Sequence, residues 1–193
     1  MIQPIYSAVP SPESVSRVYL RDPTPADAQA MHDWRREEAV VEHQPLIYLN
    51  PDQIRADLEK LTTNTLPDYS KDRFQWIIER KETNDAIGWM TLSIRTWEHL
   101  IGEIGYSVSQ KHHQKGYGTE ALQMMLRKVF LEAGLYRVEA KCAVDNVASA
   151  RLLEKVGFQK EGTLREYFNI RGRRCDHFMY SVLRHEYFGR IRR

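Results

Sequence analysis

The hydrophobic pattern is absent at first and then settles into an ordered series of elements. Residues 1–16, with Pro4, Pro10, Pro12 and four serines, carry no repeating apolar face and predict a flexible N-terminal arm. Val18–Arg21 reads as a short strand closed by Asp22-Pro23-Thr24-Pro25, and Thr24 followed by Pro25 predicts a helix start. That helix runs to about Glu38, with Ala26, Ala30 and Trp34 on one face. Asn50-Pro51 opens a second helix through about Leu61, with Ile54, Leu58 and Leu61 inward, and Thr62–Asp72 is polar enough to be a loop.

From Arg73 the period drops to two. Phe74, Trp76 and Ile78 alternate with polar positions, Thr83-Asn84-Asp85 turns the chain, and Ala86–Ile94 returns as an antiparallel partner. After an aromatic loop around Trp97, Gly102–Val108 forms a third strand of this group. Ile104, Tyr106 and Val108 share one of its faces; Glu103, Gly105 and Ser107 share the other. Tyr117–Glu132 has the strongest helical period, with Leu122, Met125, Leu126, Val129 and Phe130 on one stripe, and Gly134 ends it. Arg137–Val144 is a strand, and Asp145–Val156 is a helix opened by Asp145 or Asn146 and closed by Gly157. Phe158–Gln159 and Cys175–Leu183 read as the last two strands, with a turn at Arg171-Gly172. This order predicts one mixed α/β domain over residues 17–189, followed by a basic tail at 190–193.

Composition sharpens the picture only slightly. A chain of 193 residues with 42% hydrophobic content supports one well-cored domain. A net charge of +2 is too mild to imply a nucleic-acid partner, and the arginines at 171, 173, 174, 190, 192 and 193 read as a solvated face. Two cysteines, no secretory-type leader and no apolar run long enough for a bilayer predict a soluble, cytoplasmic protein with reduced thiols and no membrane partner. Adjacent His112 and His113 lack the spacing of a helical zinc pair, so no metal is expected.

Two segments carry chemistry. His113-Gln114-Lys115-Gly116-Tyr117-Gly118-Thr119 lies between a strand and the strongest helix. Its glycines let bare N–H groups approach a ligand, and the helix dipole points the same way, which suits a phosphate or pyrophosphate. About 30 residues on, Asn146 opens a helix that carries Ser149, Leu152, Leu153 and Val156 on one face. Taken without the upstream turn, the plainer reading is Asn146 as a helix cap and Ser149 as a half-buried spacer.

Taken together, His113–Thr119 and Asn146-x-x-Ser149-x-x-Leu152-x-x-Lys155-Val156-Gly157-Phe158 resemble the GNAT acetyltransferase family, in particular its RimJ/RimL type. The resemblance runs from about Arg17 to Leu183 and takes in Glu103-Ile104-Gly105-Tyr106-Ser107-Val108, Gly162-Thr163-Leu164-Arg165 and Asn169-x-x-Gly172-Arg173-x-x-Asp176. It implies the GNAT fold, an α/β (α+β mixed) domain with a central, mostly antiparallel sheet of about seven strands, a splayed fourth and fifth strand, and about four helices. It also implies acetyl-CoA as co-substrate. The backbone of His113, Gln114, Lys115, Gly116, Tyr117, Gly118 and Thr119 would hold its pyrophosphate. Its pantetheine arm would lie against Tyr106, Ser107 and Val108, with Asn146, Ser149, Leu152 and Lys155 along the far side. Family members usually carry Arg or Gln where this chain has His113, and often Gly where it has Gln114.

Moving an acetyl group from a thioester to an amine requires a neutral amine, a polarised carbonyl and a protonated leaving thiolate. By the resemblance, the Val108 N–H is the carbonyl donor, Glu103 the general base, and Ser149 the group that serves the thiolate. Glu103 reads equally as a surface carboxylate paired with an arginine. Many family members use a tyrosine four residues before the Gly-Phe pair, where this chain has Leu153. Acceptor contacts are expected from Trp34, Trp97 and Tyr167. Glu37, Glu38 and Glu42 read either as an attraction for a cationic amine or as solvated surface. The acceptor is expected to be a protein N-terminal amine, as on a ribosomal protein, or else a polyamine or other small amine. A non-catalytic acetyl-CoA-binding module is the rival class. Monomer and homodimer both fit.

Overall fold

A computed structural model describes residues 16–45, 49–60 and 64–191. Most of the arm predicted at residues 1–16, as well as Leu61 and the end of the basic tail, lies outside them. Seven strands form one sheet: β1 (Val18–Arg21), β2 (Arg73–Arg80), β3 (Ala86–Thr96), β4 (Ile101–Val108), β5 (Arg137–Ala143), β6 (Gln159–Ile170) and β7 (Arg173–Leu183). Their spatial order is β1-β2-β3-β4-β5-β7-β6. Every neighbouring pair is antiparallel except β4 and β5. Among the described residues six α-helices accompany them: α1 (Ala28–Arg35), α2 (Glu38–Val41), α3 (Pro51–Glu59), α4 (Tyr117–Leu131), α5 (Val147–Val156) and α6 (Arg184–Ile191).

The two faces of the sheet bury separate cores. On one, Phe74, Trp76, Met90, Leu92, Ile104, Val138 and Ala140 pack against Leu122, Met125, Val129 and Phe130 of α4. On the other, Ile77 and Trp89 pack against Ala28, Met31, Trp34, Ile54 and Leu58 of α1 and α3. Because both faces are covered, β2 loses strict alternation: Trp76, Ile77 and Ile78 are all buried. Each fully buried side chain of this size contributes about 1.5–3 kcal/mol of hydrophobic stabilisation.

Three elements differ from the sequence expectation. The first predicted helix is broken: residues 25–27 form a 3-10 turn, and Glu37 is extended (φ −61°, ψ 137°) between α1 and α2. The break lets the Glu37 carboxylate accept from the Ser109 hydroxyl and the Gln110 N–H, both at 2.6 Å. Strand β6 spans 12 residues instead of two. It is an edge strand paired only with β7, and nearly every residue before Ile170 is at least partly exposed, so no burial pattern marks it. Helix α6 was not predicted and runs through the boundary expected at 189/190. Only one side of it packs, through Phe188 and through Tyr187 against Phe130. With α2 and α6, the helix count rises above the expected four.

Caps fix the ends that sequence did mark. Asn50 accepts the Gln53 N–H at 2.8 Å while Gln53 accepts the Asn50 N–H at 2.9 Å, a reciprocal capping box. Asp27 accepts both terminal nitrogens of Arg21 and the Thr24 N–H. Burial works to raise Asp27, but the Arg21 fork and Thr24 outweigh it and hold the carboxyl below its usual range.

Candidate active site

The cleft is a consequence of sheet register. Parallel pairing of β4 with β5 is confined to Ile101↔Arg137, Gly102↔Val138 and Glu103↔Glu139. Beyond Glu103 the two strands diverge. The direction of the β4 amides follows from its other neighbour. Ser109 N–H donates to Ile87 O at 2.7 Å, and Ser107 pairs with Trp89. Odd-numbered residues of β4 therefore turn their backbone groups toward β3, and Ile104, Tyr106 and Val108 turn theirs into the gap. This puts the Val108 N–H in the gap, whereas the Ser107 backbone pairs with β3 and its side chain is buried.

Two carbonyls in the gap are already met by side chains. Gln44 Nε2 donates to Tyr106 O at 3.3 Å, and His113 Nε2 lies 2.8 Å from Val108 O, so that nitrogen carries the proton. The side chain of His113 is thereby engaged with the strand.

The turn after β4 has the shape expected of an anion cradle. Gly116 caps α4 at φ +86°, and Gln114 is also left-handed at φ +59°. The first bond of α4 runs from Glu120 N–H to Gly116 O, so the N–H groups of Tyr117, Gly118 and Thr119 precede the helical ladder. Arg17 braces the turn by donating to Lys115 O at 2.7 Å and to the Glu120 carboxylate. Lys115 Nζ donates to Lys111 O at 3.0 Å. A Cβ on Gly118 would lie 2.9 Å from Leu152 Cδ1, so glycine here lets α4 and α5 meet and brings the two sequence motifs together.

Below the gap, on the α4–α5 side, Tyr106 Oη and Ser149 Oγ lie 2.8 Å apart. Burial pushes the Tyr106 phenol above its usual range, and the contact with Ser149 opposes this. The neighbouring Cys142 thiol, 5% exposed, is pushed up to about 11 by burial, also opposed by Ser149. A thiol so protonated is a poor nucleophile. Asn146 Oδ1 accepts the Ser149 N–H at 3.0 Å, so Asn146 does cap α5, and its amide nitrogen remains as a donor. Leu153 is fully buried in the core, and Lys155 is exposed in the last turn of α5.

The opposite face of the gap carries charges that are already matched. Glu103 Oε2 lies 2.7 Å from Arg95 Nη2 and 2.5 Å from Lys141 Nζ. Arg137 bridges Glu139 and Glu161. Lys141 Nζ also sits 5.4 Å from the centre of the Tyr167 ring, which is exposed on a bulge of β6. Trp34 is instead buried and stacks on Trp89 at 6.1 Å, a packing position. Trp97 lies at the other end of β4, where its Nε1 donates to Lys71 O and its ring packs edge-on to Phe74 and Tyr69. The turn segment His43-Gln44 after α2 falls within the stretch 34–51 expected to face the acceptor, but nothing in its local pattern singles out these two residues.

The residues fit acetyl-CoA. A strand-shaped arm with amides matches the unpaired β4 edge, and a pyrophosphate matches the N–H groups at Tyr117–Thr119. Among the described residues no helix is long and apolar enough to cross a membrane.

Comparisons with known proteins agree with this geometry. Residues 17–159 match the family model described as the acetyltransferase (GNAT) domain. The uncharacterised N-acetyltransferase p20 of Bacillus licheniformis is 31% identical over 90% of this chain and 96% of its own length. The spermidine N(1)-acetyltransferase of Vibrio cholerae is 25% identical over 91% of this chain and 98% of its own. A solved structure of spermidine N-acetyltransferase from Vibrio cholerae, in complex with CoA and spermine, shares the fold with a TM-score of 0.76 at 22% identity, over 89% of this chain and 98% of that one. With a seven-stranded sheet opened between β4 and β5 and the family model matched across most of its length, the chain belongs to the GNAT family of acetyl-CoA-dependent N-acetyltransferases.

Proposed function

We propose that this enzyme, of the RimJ/RimL type, acetylates a primary amine by direct attack within a ternary complex, and that the amine is a protein N-terminus. The observation that carries the reading is the two-sided gap. One side carries the Tyr106–Ser149 hydroxyl pair at 2.8 Å, and the other is open to an acceptor. When bound, acetyl-CoA supplies the acetyl group as a thioester with a leaving thiol whose pKa is about 8.5. The backbone at 114–119, with Asn146 and Leu152, holds this co-substrate. The Val108 N–H stabilises the negative charge that develops on the carbonyl oxygen. Ser149, backed by Tyr106, delivers a proton to the departing sulfur, the role that a tyrosine at position 153 fills in many relatives.

The choice of acceptor rests on charge. A polyamine carries several cations and requires uncompensated carboxylates. At this face Glu103, Glu139 and Glu161 already pair with Arg95, Lys141 and Arg137, and Glu37 is held by Ser109 and Gln110. A single amine on an otherwise neutral peptide backbone suits such a surface better. The likeness to spermidine N(1)-acetyltransferase supports polyamine acetylation as the second reading. Rates measured on N-terminal peptides and on spermidine with the same enzyme separate the two. Faster turnover of peptides is expected, and efficient turnover of spermidine alone overturns the assignment.

A further inference from the structure

Glu103 is not placed to take a proton at the reacting end of the gap, and the Glu37 carboxylate near that end is already engaged by Ser109 and Gln110. Glu103 is five residues before Val108 on β4, about 16 Å along the strand, and its oxygen already meets two cations. A different group lies at the mouth. The segment from Glu37 to Gln44 is tied across the opening at three points. Glu37 binds Ser109 and Gln110 past the end of β4, Gln44 binds Tyr106 O inside the gap, and His43 reaches the far bank. His43 Nδ1 is buried, has no hydrogen bond of good geometry, and lies 3.3 Å from Asp145 Oδ1. Asp145 immediately precedes Asn146, and Arg173 Nη2 lies 3.7 Å from its other oxygen.

We propose that His43, oriented by Asp145, is the general base that deprotonates the acceptor amine. This inference rests on the acetyl-transfer reading above. A buried Nδ1 facing a carboxylate keeps its proton on that nitrogen, which leaves Nε2 as the basic atom. Contacts of this kind are often long without substrate and tighten when it binds. A proton passes from the acceptor ammonium to Nε2, the resulting imidazolium is balanced by Asp145, and the proton then leaves to solvent. His43 and Gln44 stand on the acceptor side of the gap, with the Tyr106–Ser149 pair on the sulfur side, so proton removal and proton delivery occur on opposite sides of the reacting carbon.

The test compares wild-type enzyme with His43→Ala and His43→Gln on two acceptors, an ordinary peptide amine and a weakly basic amine that is already neutral at the assay pH. Acetyl-CoA affinity and thermal unfolding are measured in parallel. With the peptide, kcat falls by about 100-fold or more in both variants. The loss shrinks markedly with the weakly basic amine, added imidazole restores part of the His43→Ala rate, and acetyl-CoA binding is unchanged. A wild-type rate in either variant, or an equal loss on both amines without rescue, overturns the assignment of His43. Absence of transfer by the wild-type enzyme to any amine overturns the acetyl-transfer reading itself, and the role of His43 with it.

Discussion

The Tyr106 hydroxyl meets the Ser149 hydroxyl at 2.8 Å, joining β4 to α5 directly beneath the gap. In the proposed mechanism the pair forms one path for a proton toward the departing sulfur, so its members should act as a unit. Ser149→Ala and Tyr106→Phe should each lower kcat by about tenfold, a modest loss because a thiolate of pKa about 8.5 leaves with little help. The double variant should be no slower than the worse single one, which steady-state kinetics on all three proteins checks.

Gly116 sits at φ +86° with Arg17 Nη2 3.0 Å from where a Cβ would stand. Gly116→Ala should therefore cost about 1–2 kcal/mol of stability from backbone strain alone. It should also weaken acetyl-CoA binding several-fold, because the N–H groups at 117–119 shift with the turn. Calorimetric titration and thermal unfolding read the two effects separately.

Gln114 bears left-handed strain that glycine relieves, with φ at +59°. Gln114→Gly should stabilise the fold by about 0.5–1 kcal/mol, the strain relief exceeding the added chain entropy. Acetyl-CoA affinity should hold, since the cradle uses backbone N–H groups. A drop in Tm for this variant would show that the Gln114 side chain does more than tolerate its position.

The Glu161 carboxyl is lowered to about 2, first by the Arg137 fork and then by the Ser181 hydroxyl. A depressed carboxyl adds stability that is fully present above its unfolded pKa near 4.5 and is lost as pH falls through about 2. Glu161→Gln should therefore lower Tm near neutral pH, by a modest amount because the carboxylate is 42% exposed. The gap between variant and wild type should close between about pH 4.5 and 2.

Much of this site was legible from sequence because its markers are local. Gly116, Gly118 and Asn146 sit at element ends, where backbone conformation and capping dictate residue type, and the stripe from Leu122 to Phe130 declares α4 without outside help. What was not legible depends on distant partners. Glu37 breaks a helix only because Ser109 and Gln110 wait across the fold. Strand β6 is held by pairing with β7 and buries little of its own. Trp34 and Trp97 advertised themselves as aromatic contacts, yet one stacks on Trp89 and the other packs edge-on to Phe74. His43 carries no local signature, and its place opposite Asp145 exists only once β4 and β5 part.

Direct attack by the amine, without an acetylated enzyme, is tested most directly by intact-protein mass spectrometry paired with thiol release. In the absence of amine, acetyl-CoA should leave the protein mass unchanged and release no thiol. On addition of an acceptor, free thiol and acetylated amine should appear in equal amounts. A stoichiometric burst of thiol with an acetyl adduct on Ser149 or Cys142 before any amine is added would contradict the account.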